Sequence, residues 1–484
     1  MSHRDKLRDY FNEMVVFKDN RHNNLKDLLP QSFLRDWLLK KFQDEDGNTD
    51  MEGLHEFVQR FKPPKDDWEL IKARLRDGES VKLLAKVDIE VNLKSNTVAF
   101  SLPDYNVGTN ETEIEPHAWE QSRDELVRSD VQWGQIELVY REPSDPRRRD
   151  GKIMMRRFMN FCPYTLDLDY YKDMRSEFTL DEWIDVMLEA MDYNAAGYTD
   201  SIQKYTTLSR LLIFVQNNLN MIELAPKGTG KSYMFGNLSK YGCCIATKMS
   251  RAALFYNLAS HKEGPIFKND FVAIDEVQTG TVNDMAEMRT ALKTYLEDGV
   301  FKATDGSVKS SKAGMILLGN IPFESMDTNA PMFDHLQEVF RESALMDRFK
   351  GFIQGWHIPR VHEDLKMNGW ALNTEYFSSI LHMLRSDPSY DRIVDDLIEI
   401  PDRADTRDTT AVKSMCSAWL KLLFPHVRSA DDILYNEALY YQFKDKCLRP
   451  AKEARAIIRS QLQKMPDGHE YANKPLANYQ MVKP

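Results

Sequence analysis

The octapeptide Ala225-Pro226-Lys227-Gly228-Thr229-Gly230-Lys231-Ser232 follows the apolar run Met221 to Leu224 and opens a segment of helical composition. A glycine-rich turn between a strand and a helix aims backbone N–H groups, and the positive end of the helix dipole, at phosphate oxygens. In that setting Lys231 reaches the β- and γ-phosphates of ATP, and Ser232 holds Mg2+. The strict P-loop (Walker A) pattern begins with glycine, and Ala225 stands there instead. One added methyl is tolerated unless the position needs positive φ. Downstream, Phe271-Val272-Ala273-Ile274-Asp275-Glu276 reads as a buried strand tipped by two carboxylates. Asp275 would hold the metal or its water, and Glu276 would activate the attacking water. A third apolar run, Met315 to Leu318, ends at Gly319-Asn320, whose amide would bond that water or the γ-phosphate. Singly, these are a chance Gly-Lys-Ser, an acidic pair after a strand and a turn asparagine. In this order they describe a nucleotide site.

Such a site needs strands that end together and helices that cover them. The spacing predicts strand–helix alternation from Met221 to Leu318, which implies a parallel sheet covered on both faces. Upstream, Thr179-Leu180-Asp181-Glu182 is a capping box ahead of a helix through Trp183, Val186, Met187 and Met191. The first 78 residues read as helical, with Ser32 and Asp67 as caps and Gly78 as a stop. Between them the period changes to two: Val87, Ile89, Val91 and Leu93 alternate with polar residues, as do Val98, Phe100 and Leu102. Ile136 to Tyr140 and Ile153 to Met155 add another strand pair, which suggests a small barrel, OB-like for one. After Trp356 the reading returns to helices, clearest at 412–423 and 451–462. The tail after Pro466 is polar and expected to be loose.

Composition excludes several classes. The 484 residues carry a net charge of −11 with 42% hydrophobic content, too long for one domain and too acidic for a surface that is basic throughout. Five cysteines without a Cys-x-x-Cys pair fit neither a disulfide framework nor a zinc site, and no histidine shows metal-ligand spacing. The N-terminus lacks a secretory h-region, and no run approaches the roughly 18 apolar residues of a membrane helix. The expectation is a cytoplasmic protein without a membrane partner.

Two local basic clusters stand out in this acidic chain. Arg141, Arg147, Arg148, Arg149, Lys152, Arg156 and Arg157 crowd one strand–loop–strand. Lys302, Lys309 and Lys312 lie on a segment expected to be a hairpin turning at Asp305-Gly306. Each suits a phosphate backbone, and each also suits a plain solvated loop. Ser307, Ser310 and Ser311 beside Lys309 and Lys312 suggest no Ser–Lys protease, because they fall inside the ATPase core.

The succession Gly-Thr-Gly-Lys-Ser, Ala-Leu-Phe-Tyr-Asn, Ala-Ile-Asp-Glu-Val, Gly-Asn-Ile, Asp-Arg-Phe and Gly-Trp-His-Ile-Pro, over residues 228–359, resembles BrxL, the Lon-related AAA+ family of BREX anti-phage defence systems. Phe178 to Val186 and Arg407 to Pro425 extend the likeness to about residues 160–465. The resemblance implies rings with a core similar to MCM-type ATPases and DNA in their channel, the hairpin lysines lining the pore. It places Arg348 of Met346-Asp347-Arg348-Phe349 as the arginine finger that reaches a neighbouring subunit's nucleotide, with Arg341 the competing candidate. Arg407 is a candidate for the arginine that touches the γ-phosphate from the lid, or else a helix-start residue paired with Asp408. Lon-related members can carry a C-terminal Ser–Lys protease domain; the chain ends soon after the lid helices, and proteolysis is not expected.

The expected organisation is an α/β protein: an N-terminal helical region (1–78), a β-rich OB-like DNA-binding domain (79–162), an AAA+ core (163–360), a helical lid (361–465) and a tail (466–484). The expected activity is hydrolysis of ATP with Mg2+ by a hexameric ring, possibly stacked, that clamps or translocates double-stranded DNA with other BREX components. Two other readings stay open: a protein unfoldase serving a separate protease, and an ATP-regulated structural scaffold on DNA.

Overall fold

The computed structural model describes every residue except 1, 20–22, 94–95, 129–131, 146, 149, 247–249, 259–261, 280–281, 283, 304 and 484, and the side chains of 23, 24, 128 and 262. The chain forms two compact units: Asn24–Leu29 with Trp37–Thr165, and Met1–Asn23 with Pro30–Asp36 and Leu166–Pro484.

In the smaller unit, alternating apolar residues build a curled five-stranded sheet. Its strands are β1 (Val81–Asn92), β2 (Thr97–Ser101), β3 (Thr112–Ile114), β4 (Gln132–Arg141) and β5 (Lys152–Asn160). The order is β2-β1-β4-β5-β3, with β3 parallel to β5 and the other pairs antiparallel. Helix α1 (Pro116–Arg128) lies between β3 and β4 in the chain. The two outer strands meet, since the Phe100 N–H donates to the Thr112 hydroxyl at 3.1 Å. The inward side chains, among them Leu83, Phe100, Ile136 and Met155, form one core with Trp68 and Leu75 of the preceding helix.

The larger unit is built on a wholly parallel sheet. Its strands are β6 (Met221–Ala225), β7 (Gly242–Ala246), β8 (Phe271–Asp275), β11 (Gly314–Asn320) and β12 (Gly351–Gln354), in the order β12-β6-β11-β8-β7. Between β8 and β11 come helix α4 (Met285–Asp298) and a hairpin of β9 (Val300–Lys302) and β10 (Val308–Ser310). Strand β6 is buried along its whole length, as near-continuous apolar runs in covered parallel sheets are. Ile222, Leu224, Val272, Ile274, Met315 and Leu317 share one core with Leu292, Ile458 and Leu462 of the helices. Thr179 completes the expected capping box at the head of α2 (Leu180–Ala190). The P-loop helix is α3 (Lys231–Asn237), and the two longest later helices are α5 (Thr406–Leu423) and α6 (Arg449–Leu462).

Three boundaries differ from those read off composition. Residues 1–23 and 30–36 belong to the larger unit rather than to a separate helical region of 1–78. The cause is long-range pairing: Val15–Lys18 forms a strand antiparallel to Gly369–Leu372, and the Lys18 ammonium sits 2.9 Å from Asp36 and 2.8 Å from Asp192. Arg35 also reaches Asp192, at 2.5 Å, beside the Tyr233 hydroxyl of α3. Nor do 163–360 and 361–465 separate, because buried Arg455 of α6 donates to Asp347 and Phe349 backbone carbonyls at 2.9 and 2.7 Å. The tail is not loose throughout: Gln480–Met481 pairs with Ile398–Glu399, and Tyr479 is buried.

Candidate functional site

Three adjacent strands, β6, β11 and β8, end side by side. Ala225 at the tip of β6 is in register with Asn320 at the tip of β11, and Asp275 closes β8 on the far side of β11. Ligands of open parallel sheets sit beyond the carboxyl ends of the strands, where the strand order reverses. Strand β6 is that place here: the chain leaves it for β7 at one edge and returns beside it.

Within the loop, Gly228 and Gly230 take φ of +86° and +75°, which their lack of a Cβ permits. A Cβ on Gly230 would come within 2.7 Å of the Tyr193 hydroxyl, so the loop lies against that side chain. Ala225 is not among the positive-φ residues, and its methyl packs on Gly355, where a Cβ would come within 2.3 Å. A glycine stands at the facing position, and alanine at 225 carries no left-handed backbone strain.

Lys231 Nζ donates to Asn320 Oδ1 at 2.8 Å and to the Pro226 carbonyl at 3.1 Å. Burial lowers its pKa, with Glu223 and Asp275 opposing. The Ser232 hydroxyl hydrogen-bonds the Asp275 carboxylate. A hydroxyl and a carboxylate in contact are a donor pair that fits a hard divalent cation such as Mg2+. Glu276 follows at φ +56°, exposed, with its N–H donating to Asp275 Oδ1 at 2.8 Å. A left-handed glutamate costs on the order of 1 kcal/mol, a strain that clusters at functional sites. Gln278, which sequence reasoning missed, accepts from the Asn320 N–H at 3.0 Å and so fixes the tip of β11.

Beneath the loop lies a second feature missed in sequence. Arg210 and Glu223 are fully buried and bonded twice, at 2.9 and 2.5 Å. Arg210 also donates to the Thr229 carbonyl at 2.8 Å, which ties the floor of the P-loop to the middle of β6. The available signal was Glu223 itself, a carboxylate inside an apolar strand that demands a buried partner.

Arg348 and Arg407 are elsewhere. Lys350 bonds through its N–H to the Asn220 carbonyl, so Arg348 sits where β12 and β6 begin. The five-residue β6 puts roughly 15 Å between that end and the P-loop. Arg348 pairs with Glu297 at 2.7 Å, and Arg407 meets the same Glu297 at 2.9 Å and Asp347 at 3.0 Å. Burial works against ionised Asp347, and Arg455 and Arg407 outweigh it, holding its carboxyl below the usual range. Arg341 donates to the Leu336 carbonyl at 2.7 Å.

The basic clusters divide between the two units. In the smaller one, Arg147 and Arg148 are exposed on the β4–β5 loop, while Arg149 lies outside the described residues. Lys152 donates to the Asn110 carbonyl, Arg141 pairs with Glu113 at 2.9 Å and Arg156 with Glu115 at 3.6 Å. In the larger one, the β9–β10 hairpin pairs Val300 with Ser310 and Lys302 with Val308, and Gly306 takes φ +84°. Lys302 and Lys312 are exposed, whereas Lys309 pairs with Glu263 at 2.6 Å and lies over the Tyr256 ring. Among the described residues, no group of three or more His, Cys, Asp or Glu side chains is placed to hold a metal ion, and no helix is long and apolar enough to cross a membrane.

The family model described as Lon-like protease BrxL-like, ATPase domain, matches residues 153–477. The model described as BREX system Lon protease-like protein BrxL N-terminal matches residues 9–140. The chain is 26% identical over 467 residues to the Lon-like protease BrxL of Escherichia coli O9:H4 (strain HS), covering 95% of this chain and 64% of that protein. It is 25% identical over 470 residues to the Lon-like protease BrxL of Bacillus cereus (strain H3081.97), covering 95% and 66%. The chain thus spans about two thirds of the length of these relatives. With an ATPase-domain match over well more than half its residues, the chain belongs to the BrxL family.

Proposed function

We propose that this chain is an AAA+ ATPase that assembles into rings, hexameric or stacked, and couples ATP hydrolysis to clamping or translocating double-stranded DNA in BREX-type defence against phage. The observation that carries the reading is the division of the polar and charged groups between the two ends of the sheet. Lys231, Ser232, Asp275, Glu276 and Asn320 gather at one end, and Arg348 and Arg407 stand at the other. Arg360 stands beside the loop, its Cγ 3.9 Å from where a Cβ on Gly228 would lie, whereas Arg348, roughly 15 Å from its own P-loop, serves a transition state only on another subunit's nucleotide. A ring supplies that arginine from the next subunit.

In this reading the N–H groups of Lys227, Gly228, Thr229 and Gly230, which follow Pro226, hold the phosphates together with the Lys231 ammonium. Ser232 and Asp275 hold Mg2+, which neutralises phosphate charge when bound. Glu276 activates water, and Asn320, already bonded to Lys231, orients the γ-phosphate or the water. Arg348 acts as the finger, and Arg407, sharing Glu297 with it, acts across the same boundary rather than on its own nucleotide.

DNA contact is supported by the smaller unit's topology. Five strands ordered β2-β1-β4-β5-β3, with a helix between β3 and β4, have the layout of an OB-like barrel. Such barrels bind oligonucleotides with the loops between strands 1 and 2 and strands 4 and 5. The second of these loops carries Arg147, Arg148 and Arg149 and leads into Lys152. In the larger unit, the hairpin's Lys302, Lys309 and Lys312 offer a second contact with the phosphate backbone. Salt-dependent binding of double-stranded DNA by the purified protein, with a changed ATPase rate, is the expected result. No binding and an unchanged rate would favour the protein-unfoldase reading. Strong binding with little turnover would favour an ATP-regulated scaffold.

A further inference from the structure

We propose that Glu297 is a positioning residue for the arginine pair, fixing Arg348 and Arg407 in the geometry with which they meet a neighbouring subunit's nucleotide. The inference rests on the reading of Arg348 as a finger.

Arg348, Arg407, Arg455 and Arg459 crowd this corner, and their partners sort them into two kinds. Arg455 and Arg459, both buried, are satisfied by Asp408 at 2.7 and 2.6 Å, and Arg455 also takes Asp347 at 2.6 Å. These two bind helices α5 and α6 to the turn before β12. Arg348 and Arg407 approach the surface instead, and one carboxylate serves both, while Arg407 also donates from Nη1 to Asp347 at 3.0 Å. Glu297 Oε2 lies 2.7 Å from Arg348 Nε and 2.9 Å from Arg407 Nη2, while its Oε1 takes Arg407 Nε at 3.2 Å. The fork against the carboxylate orients the Arg407 guanidinium in two directions at once. The shared Oε2 sets the spacing of two like charges that would otherwise repel. Arg348 has one further tether, from its Nη1 to the Ala344 carbonyl.

Glu297 also occupies a junction. It stands in the last turn of α4, which follows the acidic tip of β8, and Gly299 at φ +69° then turns the chain into the lysine-bearing hairpin. An arginine pair anchored here is registered to both segments.

A partly exposed ion pair contributes little to folding. A positioning role therefore shows in turnover and not in stability. The test is steady-state ATP hydrolysis by the full chain carrying Glu297→Gln, Arg348→Ala or both, with thermal unfolding alongside. Glu297→Gln is expected to lower kcat by about 10-fold, with KM within about two-fold of the parent. On the Arg348→Ala background it should remove no more than a further factor of about two, because residues that act through one another are not additive. Glu297→Asp keeps the charge and should recover part of the rate, which also answers a Gln variant that fails to fold. Parental kcat in Glu297→Gln, or losses that multiply in the double variant, would overturn the proposal. Parental kcat in Arg348→Ala alone would overturn the finger reading itself, and that result is read from the single variant.

Discussion

Replacing Arg210 by methionine should destabilise the larger unit by about 3–5 kcal/mol, the cost of leaving one partner of a buried ion pair alone. The structure gives the reasons for the upper part of this range. Both side chains are fully buried, so water cannot solvate the abandoned Glu223 carboxylate. Two charge-assisted bonds to that carboxylate disappear, and the Thr229 carbonyl loses its 2.8 Å donor. Adding Glu223→Leu removes the unpaired charge and fills the site with apolar volume, so the double variant should regain most of the loss. Its P-loop nonetheless stays without the Arg210 anchor. Urea unfolding followed by far-UV circular dichroism measures the first effect, and titration with a fluorescent ATP analogue measures the second. The double variant is expected to fold well yet bind the analogue about 10-fold more weakly, the equivalent of one hydrogen bond of roughly 1.4 kcal/mol. An Arg210→Met cost under about 1 kcal/mol would refute the reasoning, because it would mean that unpaired Glu223 suffers no desolvation penalty.

Lys231→Ala should abolish ATP binding, whereas Glu276→Gln should bind ATP and fail to hydrolyse it; equilibrium binding and phosphate release separate the two. Exchanging Lys302, Lys309 and Lys312 for alanine should weaken double-stranded DNA binding and lower the slope of log K against log salt by up to about 0.9 for each phosphate no longer neutralised. An unchanged slope would place the DNA on another surface. His426, whose pKa burial pushes down to about 4 from its ordinary 6.5, stays neutral in the fold while the unfolded chain takes up a proton. Its folded pKa is the lower one, so stability present above pH 6.5 is lost as pH falls toward 4, by roughly 2 kcal/mol at pH 5. His426→Asn should flatten that part of a pH–stability curve.

The nucleotide end of the site was legible because each of its parts is local. A strand tip, a glycine turn and a helix start lie within a dozen residues, and buried parallel strands announce themselves as apolar runs. Ala225 was readable as tolerable, but the reason, Gly355 opposite, lies 130 residues away in the chain. Gln278 and Arg210 were missed for the same reason, since neither sits in a motif and each acts through a partner on another strand. Arg407 was noticed at a helix start, yet its pairing with Glu297 and Asp347 needed α4, α5 and the turn before β12 in one place. The N-terminal residues looked like part of a separate helical region because nothing local shows that Val15–Lys18 pairs with a strand some 350 positions later. The hairpin at Asp305-Gly306 was plain from its turn residues, whereas the neutralisation of Lys309 by Glu263 was not.

The central claim, that one subunit completes its neighbour's site, is tested most directly by mixing two impaired variants. Arg348→Ala keeps Lys231, Asp275 and Glu276 but lacks the finger; Glu276→Gln keeps the finger but cannot activate water. Subunits exchanged into common assemblies should regain ATP hydrolysis well above the sum of the separate variants, because an intact site beside a Glu276→Gln subunit then meets an intact Arg348. A mixture that co-assembles and hydrolyses no faster than that sum would contradict a finger supplied between subunits.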